Sequence, residues 1–170
     1  MHRNYDYVLC TSEATRRFYA EGFGMPPERV LVKGMPRVDY IREPAPALRE
    51  RFLAQRPELA GKRLLLYLPT FRAGVEEGAA ALTAAFADVT DVALLVKPHP
   101  MSQLTVEGEH AVGPGWSTYD MMKVCDGIIT DSSAASLEAS LLDKPVYLYL
   151  YDYENYQADQ GLNIDLWAEL

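Results

Sequence analysis

The 170-residue chain has only two cysteines, Cys10 and Cys125, and no CxxC or Cys/His spacing, which argues against a structural zinc site. Each borders an apolar segment, so both read as buried free thiols. No apolar run approaches the ~20 residues that span a bilayer. The opening residues MHRNYDY hold no apolar core of a secretory leader, so a cytoplasmic chain is the expectation. Basic residues are in the minority: 16 Lys and Arg stand against 24 Asp and Glu, for a net charge of −8. That balance excludes general affinity for nucleic acid and sets anionic lipid at a disadvantage. A P-loop, a GxGxxG fingerprint and an evident Ser/His/Asp triad are all missing, which counts against kinase, dehydrogenase and hydrolase chemistry. Internal repeats and low-complexity tracts are missing too.

What is present is a composition of 49% hydrophobic and 24% charged residues, which suits one globular domain over residues 1–170 with a real core. Short runs that are apolar at nearly every position predict strands at Tyr7–Cys10, Val30–Lys33, Arg63–Leu68, Ala93–Lys97, Gly127–Thr130 and Val146–Leu150. Strands buried on both faces have this pattern. Helical spacing falls between them, at Glu13–Glu21, Pro46–Gln55, near Ala79–Ala87, Tyr119–Val124 and Ser133–Leu142. Ser12 is placed to cap the first helix, and Gly22 or Gly24 to stop it. The alternation predicts an α/β fold, an open doubly wound parallel sheet of about six strands. Glu43-Pro44-Ala45-Pro46 reads as a local Pro-rich connection, and residues 73–80 as a flexible loop. The stretch from Tyr151 to Leu170 reads as a closing helix or lid.

Ligands of an open α/β sheet bind beyond the carboxyl ends of its strands. Polar motifs fall there repeatedly: Thr11-Ser12-Glu13, Gly34 to Asp39, Pro69-Thr70-Phe71-Arg72, Pro98-His99-Pro100, Asp131-Ser132-Ser133 and Tyr151-Asp152. The richest stretch is GIITDSSAASLEASLLDKP, residues 127–145. Thr130, Asp131, Ser132 and Ser133 stand where a helix begins, so free amides, hydroxyls and the positive dipole end would meet a phosphate. Glu138, one turn on, is a candidate for ribose hydroxyls. His99, between two prolines, sits on a stiff loop and suits a diphosphate or a leaving phosphate. Arg72 and Arg37 are candidates for bidentate phosphate binding. Gly34 reads as a tight turn or a close backbone approach, and Asp39 as structural. Tyr147, Tyr149, Tyr151, Tyr153 and Tyr156 read as packing at the sheet border. His2 and His110 have no such context.

In order along the chain, DYVLCTSEATRRFYAEGFG, VLVKGMPRVDYI, LLLYLPTFR, LLVKPHP, YDMMKVCDGIITDSSA and LLDKPVYLYLYDYENY resemble the C-terminal domain of the CDP-glycerol glycerophosphotransferase family. These enzymes prime and polymerise teichoic acids. The resemblance implies the nucleotide-binding, Rossmann-like half of a GT-B fold, with the N-terminal half and its Trp-His-Gly motif outside this chain. It implies a CDP-glycerol donor or related CDP-polyol, and a polymer or lipid-linked acceptor hydroxyl. It implies CMP release, no further cofactor and no metal. By position, His99 is the catalytic candidate. Thr70, Arg72, Gly34, Arg37 and the segment from Thr130 to Glu138 fall to the donor. The full-length protein is expected at the inner face of the cell membrane, and this chain alone is expected not to turn over. One departure stands out. The family usually shows ITDYSS; here Ser132 takes the Tyr position, Ser133 the first Ser and Ala134 the second. That keeps CDP-ribitol or a nucleotide sugar open as donor. The alternatives are a nucleotide-sugar GT-B glycosyltransferase, a UDP-GlcNAc 2-epimerase-like domain, or a non-catalytic binding domain.

Overall fold

The computed structural model describes residues 4–161, which form two compact units divided at Glu43/Pro44. The division falls inside the Pro-rich connection that the sequence suggests is merely local. Pro44 and Pro46 disfavour helix at the residues before them, so one helix ends at Arg42 and the next starts at Pro46.

In the first unit, β1 (Val8–Cys10) pairs parallel with β2 (Val30–Val32), with Val8 opposite Val30. Between them runs α1 (Glu13–Phe23). Ser12 holds its N-cap in extended backbone, and its N–H donates to Thr15 Oγ1 at 3.2 Å. Of the two candidate stops, Gly24 is the one used: its φ of 62° is left-handed, which glycine adopts without strain. Cys10, Ala20 and Val30 form a small core. Next comes α2 (Pro36–Arg42), a helix that the sequence pattern does not predict behind the strand-end motif Gly34 to Asp39. Gly34 makes the turn at φ 72°, and Pro36 takes the first helical position, where its missing N–H costs nothing.

The second unit holds a four-stranded parallel sheet in the order β4-β3-β5-β6: β3 is Arg63–Leu68, β4 Val92–Val96, β5 Gly127–Thr130 and β6 Val146–Leu148. The α/β parallel class and the six strands are as expected. They form two ladders, however, not one sheet. β1 is three residues long and alternates buried and exposed, so it lacks the two-sided burial of a central strand.

Side chains alternate across β3 and build a core on each face. On one face Leu64, Leu66 and Leu68 join Leu95 and Ile128. They meet Phe52 of α3 (Pro46–Gln55), Met121 and Met122 of α5 (Thr118–Val124), and Ala139 of α6 (Ala135–Ala139). Leu64, Leu66, Leu95 and Ile128 are fully buried, each burial worth about 1.5–3 kcal/mol. On the other face Leu65, Tyr67, Leu94, Val96 and Ile129 pack on Ala79 of α4 (Val75–Ala85). Helices on both faces make the sheet doubly wound.

Residues 73–80 are therefore not a loop beyond Val75: Gly74 starts α4, and Glu76 and Glu77 in its first turn suit the dipole. Gly78 suggests a breaker, but a Cβ there would fall 2.2 Å from Tyr151 Cζ, so its bareness makes room for a ring. The closing helix is α7 (Tyr153–Gln160); the rest of the expected lid lies outside the described residues, as does His2.

The amino ends of the strands are tied by charge. Lys144 Nζ donates to the carbonyls of Met122, Lys123 and Cys125 at 2.9, 2.5 and 2.7 Å, capping the C-terminus of α5. Arg49 donates to Val124 O and makes a two-point pair with Asp126, at 3.0 and 3.1 Å. Cys10 and Cys125 are both buried and free.

Candidate functional site

The strand order fixes where a ligand belongs. From β3 the chain goes through α4 on one face to β4. From β5 it goes through α6 on the other face to β6. Neighbouring strands whose connections leave in opposite directions open a crevice at their carboxyl ends. Here that is the gap between the end of β3, carrying Thr70 and Arg72, and the end of β5, carrying Asp131 to Ser133.

A buried ion-pair network joins these ends. The Asp131 carboxylate accepts from Thr70 N–H at 3.0 Å, from the Thr70 hydroxyl and from Arg72 Nη1. Arg72 also donates through Nε and Nη2 to Asp152, at 2.7 and 2.9 Å, and through Nη1 to Thr70 O at 3.3 Å. The rings of Tyr151 and Tyr156 lie 5.1 and 5.4 Å from the guanidinium carbon. Burial works against the guanidinium charge, but the hydrogen bonds to Asp152 and Asp131 outweigh it and hold the arginine above its ordinary range. Most of its donors are committed to protein. Thr130 is fully buried, and its hydroxyl donates to Leu68 O at 2.8 Å. Thr130, Asp131 and Arg72 thus hold the strand ends together.

Ser132 and Ser133 are half-buried beside this network. Ser133 Oγ accepts from Ala135 N–H at 3.2 Å, and its carbonyl accepts from the Ser136 hydroxyl at 2.8 Å. The helix expected over Ser133–Leu142 is α-helical only over Ala135–Ala139, then a 3₁₀ turn to Leu142. Such a short helix has a weak dipole, so side chains carry most of any attraction for an anion. Glu138 is half-buried in its first turn.

His99 is exposed beyond β4, and its ring lies 6.1 Å from that of Phe71. Its Nδ1 accepts from Met101 N–H at 3.2 Å. The neutral ring therefore carries its proton on Nε2, which is left as a donor. His110, by contrast, has its Nδ1 2.8 Å from Leu94 O, a structural contact. Gly34 and Arg37 belong to the first unit, Arg37 in the first turn of α2. Tyr149 packs on Tyr67 as expected of the tyrosines, with ring centroids 6.0 Å apart. Two features go beyond the motifs: Asp152, of the Tyr151-Asp152 pair, bonds to Arg72 eighty residues away in sequence, and Lys97, of the LLVKPHP stretch, ends the apolar run of β4 at the neighbouring strand end. Among the described residues no group of three or more His, Cys, Asp or Glu is placed to hold a metal, and no helix is long and apolar enough to cross a membrane.

Residues 1–170 match the family described as CDP-glycerol:poly(glycerophosphate) glycerophosphotransferase. The chain is 34% identical to the teichoic acid ribitol-phosphate primase of Bacillus spizizenii, covering 92% of this chain and 44% of that protein. It is 27% identical to the teichoic acid glycerol-phosphate primase of Bacillus subtilis, covering 95% and 44%. Among solved structures, the wall teichoic acid polymerase TagF superposes with a TM-score of 0.74 at 19% identity, covering 98% of this chain and 44% of that one. The chain thus spans less than half the length of these relatives.

Proposed function

Because this chain belongs to the CDP-glycerol:poly(glycerophosphate) glycerophosphotransferase family, we propose that it is the donor-binding part of a transferase that moves a polyol phosphate from a CDP-polyol to an acceptor hydroxyl in teichoic acid synthesis. The acceptor hydroxyl gives its proton to a base of the full-length protein and attacks the donor's β-phosphate in line; the bond from that phosphorus to the bridging oxygen breaks, and CMP leaves with the electron pair. The diphosphate lies in the crevice between the ends of β3 and β5. Ser132 and Ser133 line its floor, and His99, its Nε2 carrying the proton, donates to the phosphate oxygens as charge shifts to the leaving group. Arg72, Thr130 and Asp131 keep the crevice's walls in place. The observation that carries this reading is the hydrogen-bonded convergence of Thr70, Arg72 and Asp131 at the switch point, beside two hydroxyls. The acceptor site, and a peripheral place at the inner face of the cell membrane, belong to the full-length protein.

A second donor, CDP-ribitol, is supported by the 34% identity to a ribitol-phosphate primase. Calorimetry on the full-length protein with CDP-glycerol, CDP-ribitol and UDP-GlcNAc tests the proposal. A CDP-polyol should bind and UDP-GlcNAc should not; preference for UDP-GlcNAc overturns it. His99→Ala should lower turnover about 10²-fold or more, and near-normal activity would remove His99 from this role.

A further inference from the structure

The donor is a polyanion, yet Arg72, the cation at the crevice, is already neutralised. Arg72 carries one positive charge between two carboxylates, Asp131 and Asp152, so that cluster is net negative by one. It orders the crevice but adds no net attraction for phosphate, which a cation at a neighbouring strand end would supply.

Lys97 follows β4 directly. Its N–H donates to Tyr67 O at 3.0 Å, so the parallel ladder continues one residue past Val96. That places Lys97 opposite Leu68, which stands opposite Thr130. By alternation its side chain leaves on the face of Ala93 and Leu95, where α5 and α6 pack. Both helices begin at this end of the sheet, since each returns antiparallel to the strand before it. The ammonium is half-buried and makes no hydrogen bond or ion pair with any described residue. Burial lowers its proton affinity, and the Asp120 carboxylate in the first turn of α5 acts on it only through space. Lys97 Nζ is not among the buried unpartnered atoms and so keeps contact with solvent; a phosphate there would gain a charge-assisted partner without displacing any described residue.

We propose that Lys97 supplies the positive charge that binds the phosphates of the nucleotide donor, with Arg72 as a positioning residue behind it. The inference rests on the donor-site reading above. Its test measures binding of CDP and of cytidine to the full-length protein, as wild type, Lys97→Gln and Lys97→Arg, together with melting midpoints. Lys97→Gln should weaken CDP about tenfold or more, the scale of one charge-assisted hydrogen bond, and leave cytidine within about twofold. Lys97→Arg should recover most of the loss. The melting midpoint of Lys97→Gln should equal or exceed wild type, because no protein partner is orphaned. Unchanged CDP affinity in Lys97→Gln overturns the inference while leaving the donor site intact. An equal loss of cytidine, or a clear drop in the midpoint, also overturns it, since Lys97 would then be structural. If wild-type protein binds neither CDP nor cytidine, the donor-site reading itself falls.

Discussion

Arg72→Met should be among the most destabilising single changes in the second unit, and the reason lies in what it leaves behind. The arginine side chain is 6% exposed, against 4% for Asp131 and 20% for Asp152. Removing the cation leaves two carboxylates near each other, one of them almost without water. Breaking a buried pair from one side costs about 3–5 kcal/mol. Losing the cation's contact with the Tyr151 and Tyr156 rings adds about 0.5–1 kcal/mol. With a urea slope of about 2 kcal/mol per molar, the midpoint should fall by about 2–3 M. Adding Asp131→Asn to Arg72→Met discharges the more buried carboxylate and should restore about 1–3 kcal/mol. Urea unfolding of the wild type, the single and the double variant measures both steps. If Arg72→Met unfolds within about 1 kcal/mol of wild type, the guanidinium is not clamped in solution, and its assignment as a positioning residue is wrong.

Lys144→Met should cost about 1–3 kcal/mol, because three carbonyls at the end of α5 lose a charged donor; amide exchange should quicken over Met121 to Cys125 beyond any global change. Cys125 reports through pH. Burial pushes its thiol up to about 12 from 9.0, so between those values the folded state binds more protons than the unfolded one. Stability should therefore fall as pH rises through that window, by up to about 1.4 kcal/mol per pH step, with no contribution from this group below it. Cys125→Ala should remove that part of the slope, and equal slopes in both proteins would refute the assignment.

Much of this was legible from residue order. Arg63–Leu68 and Gly127–Thr130 are apolar at nearly every position because both faces of the second unit's sheet are covered, and their bounds match the strands observed. The split into two ladders was not, since three-residue strands such as Val8–Cys10 carry too few positions for one-sided burial to show. Pro36 at a first helical position is a start signal for α2, though the seven residues to Arg42 are too few to show a helical period. At the site, the strand-end rule located Thr70, Arg72 and Asp131 together. It puts Tyr151-Asp152 at a strand end too, but no sequence pattern shows that Asp152 takes two donors from Arg72, eighty positions away. Lys97 stands in the LLVKPHP stretch, but a lysine ending a strand is ordinary in sequence; its place on the sheet and its lack of an ion pair among the described residues set it apart.

The ammonium of Lys144 reaches back nineteen to twenty-two residues to the carbonyls it holds. On a growing chain, then, the helix over Thr118–Val124 emerges with its last turn bare and is not closed until Lys144 itself has been made. Whatever order the second unit assembles in, this helix can be finished only after the strand it precedes, Gly127–Thr130, has also been laid down.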